Sequence, residues 1–117
     1  MPPATPTPAR VLAHPGREAI RLETVLHALA DPMRLCIVRF LAGRGDAGAT
    51  CSDIELVVSK STGTHHYRVL REAGVINQVY RGTAKINTLR RADLDALFPG
   101  LLGSVLAADA AQLGREG

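Results

Sequence analysis

The 117-residue chain has two cysteines, Cys36 and Cys51, no tryptophan, and only Phe40, Tyr67, Tyr80 and Phe98 as aromatics. Two isolated cysteines exclude the disulfide framework of a small secreted domain. Four scattered rings exclude the stacking platforms on which proteins hold RNA or single strands. No apolar run is long enough to span a bilayer, so no membrane partner is expected. The chain also lacks a phosphate-binding glycine loop, a nucleophile elbow and a carboxylate pair aimed at a pocket, which argues against an enzyme and leaves no cofactor evident. Five of the seven prolines fall within the first sixteen residues, which have no apolar stretch of the signal-peptide kind. Residues 1–16 are therefore expected to form a mobile arm, 17–111 a single domain and 112–117 a tail, with a cytoplasmic location.

Acids are scarcest between Ser59 and Arg91, where Glu72 stands alone against Lys60, Arg68, Arg71, Arg81, Lys85, Arg90 and Arg91, a net +6. The remainder, with seven cations and ten acids, is −3. The positive field is thus local, although the overall charge is only +3.

What is there begins with SKSTGTHHYRVLREAGVI, Ser59 to Ile76. Ser59 or Ser61 can cap a helix that Ala73-Gly74 stops with a left-handed residue. Thr62, His66, Val69, Leu70 and Ala73 form the stripe expected to face a core, leaving Lys60, Ser61, Thr64, His65, Arg68 and Arg71 outside. Short hydroxyls followed by guanidinium groups suit base edges and phosphates respectively. Gly63 costs this helix about 1 kcal/mol relative to alanine, and either close approach to a DNA backbone or a loose first turn accounts for it. Next, VINQVYR and AKINTLR read as two strands around a Gly-Thr corner. Arg81 and Lys85 flank that corner and are expected to project from its tip towards phosphates or a minor groove. A glycine-stopped helix followed by a basic hairpin predicts a mainly α, winged helix-turn-helix fold that binds duplex DNA.

Upstream, Arg17 to Ala30 reads as one helix, with a second opened by Asp31 as cap and Pro32 at the first turn. Leu35, Val38, Phe40 and Leu41 give the second helix its buried side, with Arg34 and Arg39 outside. GRGDAGAT reads as a flexible loop, and CSDIELVV as a positioning helix of two turns at most, with Asp53 as its cap. Downstream, Asp93 is expected to cap a helix that Pro99 breaks after Phe98, the second piece running to Ala111. Its apolar stripe is wider than closing one small domain requires. Pairing of the first and last helices with a second copy, through Ile20, Leu22, Val25, Leu29, Leu97, Leu101, Leu102 and Val105, would bury it. Two reading helices would then stand about 34 Å apart, one turn of B-DNA, over a palindromic site.

These residues resemble the ArsR/SmtB family of dimeric winged-helix repressors. The resemblance runs from about Leu22 to Leu106 and is carried by LHALADPMRLCIVRFLA and SKSTGTHHYRVLREAGVI, including the paired histidines. It implies first and last helices in a dimer interface, a basic wing tip, and DNA release or tightening by an effector that the sequence does not name. By position it implies that Lys60, Ser61, Thr64 and His65 read bases and that Arg68 contacts the backbone.

Many members sense metals through a Cys-x-Cys pair or a His/Asp set on the last helix, and this chain has neither. Cys51 is followed by Ser52 and Asp53, and no histidine follows His66. Neighbouring helical positions diverge by about 100°, so His65 and His66 do not chelate one ion, and His66 is expected as a hydrogen-bonded core residue. His14 and His27 have no ligand spacing with Cys36 or Cys51, so no metal site is assigned. Cys36 reads as a small buried hydrophobe. Cys51, near a helix start, is the candidate redox residue. Two alternatives remain: a metal- or thiol-redox-responsive version of the same regulator, and a winged helix used for protein contact. Steep salt dependence of duplex binding separates the latter from a DNA reader.

Overall fold

Asp31 and Pro32 open the second helix as the sequence predicts: the Asp31 carboxylate accepts from the amides of Met33 and Arg34 at 2.8 and 3.1 Å. Such a cap contributes about 1 kcal/mol. The computed structural model describes residues 12–54 and 58–117. The helices are α1 (Leu22–Leu29), α2 (Pro32–Ala42), α3 (Lys60–Glu72), α4 (Arg91–Leu97) and α5 (Leu101–Glu116). The strands are β1 (Ala49–Thr50), β2 (Ile76–Arg81) and β3 (Ala84–Leu89), antiparallel in the order β1-β3-β2. Ile37, Val38 and Leu41 of α2, Leu70 of α3, Val75, Ile76 and Leu94 fill the core between helices and sheet.

The single helix expected over Arg17 to Ala30 is instead a 3-10 turn at Arg17–Ala19, an extended step through Ile20 and Arg21, and then α1. The step carries Ile20 onto Gly74, where an added Cβ would meet Ile20 Cγ1 at 2.6 Å. Gly74 itself has φ +85, and the Val75 amide reaches back to the Leu70 carbonyl while the Gly74 amide bonds that of Arg71. That double closure is the helix stop that Ala73-Gly74 announces.

The segment expected as a flexible loop contains β1. Gly48, φ +65, brings the chain against β3 so closely that a Cβ would lie 2.4 Å from the Asn87 carbonyl oxygen. Cys51–Asp53 form a 3-10 turn rather than the start of a positioning helix; Asp53 closes a capping box with Thr50 instead of standing at an N-cap. The rest of that expected helix, 55–57, lies outside the described residues. Asp93 does not cap α4, which starts two residues earlier; its carboxylate instead accepts from Arg17 Nε at 2.7 Å and Arg90 Nε at 2.9 Å. The break at Pro99 occurs where expected, bending α4 against α5 by 111°, and α5 continues past Ala111 to Glu116. Among the described residues no single helix is long and apolar enough to cross a membrane.

Ahead of the domain, Leu12 to Gly16 lie on the outer edge of the sheet. His14 Nε2 accepts from the Gln78 amide at 2.9 Å while Nδ1–H donates to the Leu12 carbonyl, and Arg90 donates to the Pro15 carbonyl at 2.7 Å. The first eleven residues of the expected arm lie outside the described set. Burial lowers the His14 pKa below 6.5; the Leu12 hydrogen bond opposes this, while Arg71 and Arg90 reinforce it. A folded value below the unfolded one makes this contact complete above pH 6.5 and lost as pH falls through the folded value. Hydrogen exchange is expected to show the Gln78 amide protected at pH 7.5 and its protection declining as pH falls below 6.5, after correction for intrinsic rate.

Candidate nucleic-acid interface

Ser59 caps α3 with an extended backbone, its hydroxyl accepting from the Thr62 amide at 3.3 Å. From this start the helix buries Gly63, His66, Tyr67, Leu70 and Ala73. The core face is therefore rotated from the expected stripe: Thr62 is exposed and Val69 half-buried, while Tyr67 is 4% exposed. Gly63 is buried and lines the trough between α3 and the hairpin.

Lys60, Ser61, Thr64, His65 and Arg68 are all exposed. At about 100° per residue they lie within an arc of about 140°. The Thr64 hydroxyl donates to the Lys60 carbonyl at 2.9 Å, which leaves its lone pairs to accept from a base amino group. Arg68 Nη2 approaches His65 Nδ1 at 3.4 Å. Because a guanidinium only donates, His65 Nδ1 is the acceptor in this contact.

His66 is the interior residue expected of it. Arg34, expected outside, is buried: Nε and Nη2 donate to the carbonyls of Ala28 and His27 at 2.6 and 3.3 Å, and Nη1 to His66 Nδ1 at 3.1 Å. One arginine thus satisfies the C-terminal carbonyls of α1 and ties them to α3.

The hairpin turns through Gly82, φ +63, at the position where a type II′ turn requires it. Strand alternation separates the two wing cations. Lys85 faces α3, 5.6 Å from the Tyr80 ring, and lines a 340 Å³ trough with Lys60, Thr64, Tyr67 and Cys51. Arg81 lies on the other face and is exposed. Arg90 pairs with Asp93 at 2.9 Å, and Arg91 approaches Asp95 at 3.7 Å. The +6 segment therefore spends two cations on acids just beyond it.

A family model for a helix-turn-helix domain matches residues 29–79. The Bacillus subtilis (strain 168) protein YceK, described as an uncharacterized HTH-type transcriptional regulator, is 30% identical over 84 residues, covering 67% of this chain and 79% of that protein. The crystal structure of an ArsR family transcriptional regulator matches with a TM-score of 0.58 and 22% identity, over 80% of this chain and 96% of that one. The chain belongs to the helix-turn-helix transcriptional regulators, and its fold is that of the ArsR family structure. Its β-hairpin, extended by β1, has the place of the wing, and α3 that of the second helix of the helix-turn-helix.

Ile20, Val25, Leu29 and Leu102, expected at an interface with a second copy, are instead buried in the chain's own core. Leu97, Leu101 and Val105 are half-buried, and Leu22 is 44% exposed. Leu26 and Leu113, which that reading left out, are 44% and 41% exposed. Arg39 and Asp109 bridge α2 and α5 at 2.5 Å, a pair separated by too much sequence for local patterns to show. Cys36 and Cys51 are both half-buried and free. Among the described residues no group of three or more His, Cys, Asp or Glu could hold a metal ion.

Proposed function

We propose that the regulator is a homodimeric repressor that reads a palindromic operator with Lys60, Ser61, Thr64 and His65 and grips the backbone with Arg68, Arg81 and Lys85. The observation that carries this reading is the exposed arc on α3, polar donors and acceptors at its N-terminal end and a guanidinium behind them, beside a wing of the same charge. The exposed Leu22, Leu26 and Leu113 and the half-buried Leu97, Leu101 and Val105 support a second copy as partner. Occupancy of the operator then blocks transcription, and an effector adjusts it.

Thr64→Ala or His65→Ala is expected to relax preference at one position per half-site by about 1 to 3 kcal/mol. Arg81→Ala should weaken specific and random duplexes alike and reduce the slope of log affinity against log salt by about 0.9. Titration of operator and scrambled duplexes at several salt concentrations separates the two classes; equal losses on both duplexes for all three variants would refute the assignment of the reading face.

The thiol-responsive version rests on one contact, Asn87 Nδ2 to Cys51 Sγ at 3.5 Å, which places the sulfur against the root of the wing. Peroxide is then expected to change duplex affinity in the native protein and leave Cys51→Ser unaffected; an equal response in both removes that reading.

A further inference from the structure

Three polar side chains stand in a line at the root of the wing, where apolar packing is the ordinary arrangement. Gln78 and Asn87 are directly opposed in the β2–β3 register and are 2% and 0% exposed. Arg71 Nη1 of α3 donates to Gln78 Oε1 at 2.6 Å, Gln78 Nε2 donates to Asn87 Oδ1 at 2.7 Å, and Asn87 Nδ2 donates to the Ala49 carbonyl at 3.0 Å. These bonds have only one sense. A guanidinium has no acceptor, so Gln78 must turn its oxygen towards α3 and its amino group towards β3, and Asn87 must then turn its amino group towards β1. The ladder joins the recognition helix to all three strands.

An apolar pair at this level would hold the sheet together as well, but without fixing its direction. Direction matters because the wing tip lies three residues beyond the ladder, about 10 Å away, so a tilt of about 10° moves it by nearly 2 Å. Hydrogen bonds to phosphates do not survive such a displacement.

We propose that Gln78 and Asn87 are positioning residues of the DNA interface: the ladder headed by Arg71 locks the wing to α3, so that Arg81 and Lys85 meet the duplex in fixed relation to Thr64 and His65. This rests on the DNA-reading function proposed above.

The test uses Gln78→Met, and Arg71→Met as a second variant that cuts only the first rung from a half-buried helix position. Residual dipolar couplings of the α3, β2 and β3 amides are measured in the free protein, together with affinity for operator and scrambled duplexes. In both variants the hairpin couplings are expected to depart from the native orientation relative to α3, and the operator-to-scrambled ratio to fall about tenfold. For Gln78→Met, affinity for the scrambled duplex should fall less than that for the operator, because a displaced wing still meets phosphates through its charge where no base register has to be kept. Couplings that keep the native orientation in both variants, or a changed orientation with an unaltered ratio, would overturn the proposal. A native protein with no operator preference would instead refute the DNA reading, and this role with it, while the couplings still report whether the ladder holds the wing.

Discussion

Gly48→Ala is expected to lower the unfolding free energy by about 3 kcal/mol, because two penalties coincide at one residue. The first is conformational: φ +65 and ψ −162 lie in a region essentially reserved for glycine. The second is steric, since the new Cβ would meet the Asn87 carbonyl oxygen at 2.4 Å and Thr88 Cγ2 at 2.7 Å. The first of these atoms is backbone in the central strand, so relief requires β1 to move away from β3. That movement removes the Ala49 carbonyl from the end of the buried ladder. Gly45→Ala is the control: φ is also positive, +55, but nothing lies within 4 Å of the added carbon, and the loss should be nearer 1 kcal/mol. Urea denaturation of the two variants measures the difference, and equal losses would mean that the β1–β3 contact is not the tight one described.

Leu22→Glu is expected to produce a folded monomer that has lost about a hundredfold in operator affinity, since a second half-site no longer binds as part of the same molecule. Leu22 is 44% exposed in the protomer, so the substitution itself should alter protomer stability by no more than about 0.5 kcal/mol. A carboxylate in the proposed apolar interface would be unpaired there, and association is what it opposes. Sedimentation equilibrium gives the oligomeric state, and duplex titration the affinity. A variant that remains dimeric with native affinity would show that the interface lies elsewhere than on α1.

The parts of this fold that were legible in the sequence are those written by neighbouring residues. Asp31-Pro32 starts α2, Ala73-Gly74 stops α3, Gly82 turns the hairpin and Pro99 breaks the last helix, each through backbone chemistry confined to a few positions. The parts that were not legible depend on distant partners. Gly48 reads as flexibility until β3 is beside it, and Arg34 reads as a surface charge until α1 ends within its reach. The core face of α3 differs from its sequence pattern for a related reason. Glycine contributes nothing to a hydrophobic stripe and tyrosine is ambiguous, so the pattern points to Thr62, although Gly63 and Tyr67 are the buried residues. On the proposed site, the exposed arc of α3 was legible from spacing, whereas the divergence of Arg81 from Lys85 required the strand register. Gln78 and Asn87 gave no signal, because two amides in a strand pattern look like its solvent face.

The most direct test of the account is selection of binding sites by the full-length protein from a pool of randomised duplexes at near-physiological salt. The expected result is an inverted repeat with half-site centres about 10 to 10.5 base pairs apart, the distance between two recognition helices in successive major grooves. Recovery of no sequence enriched over the starting pool, or of a lone half-site with no symmetric partner, would contradict it.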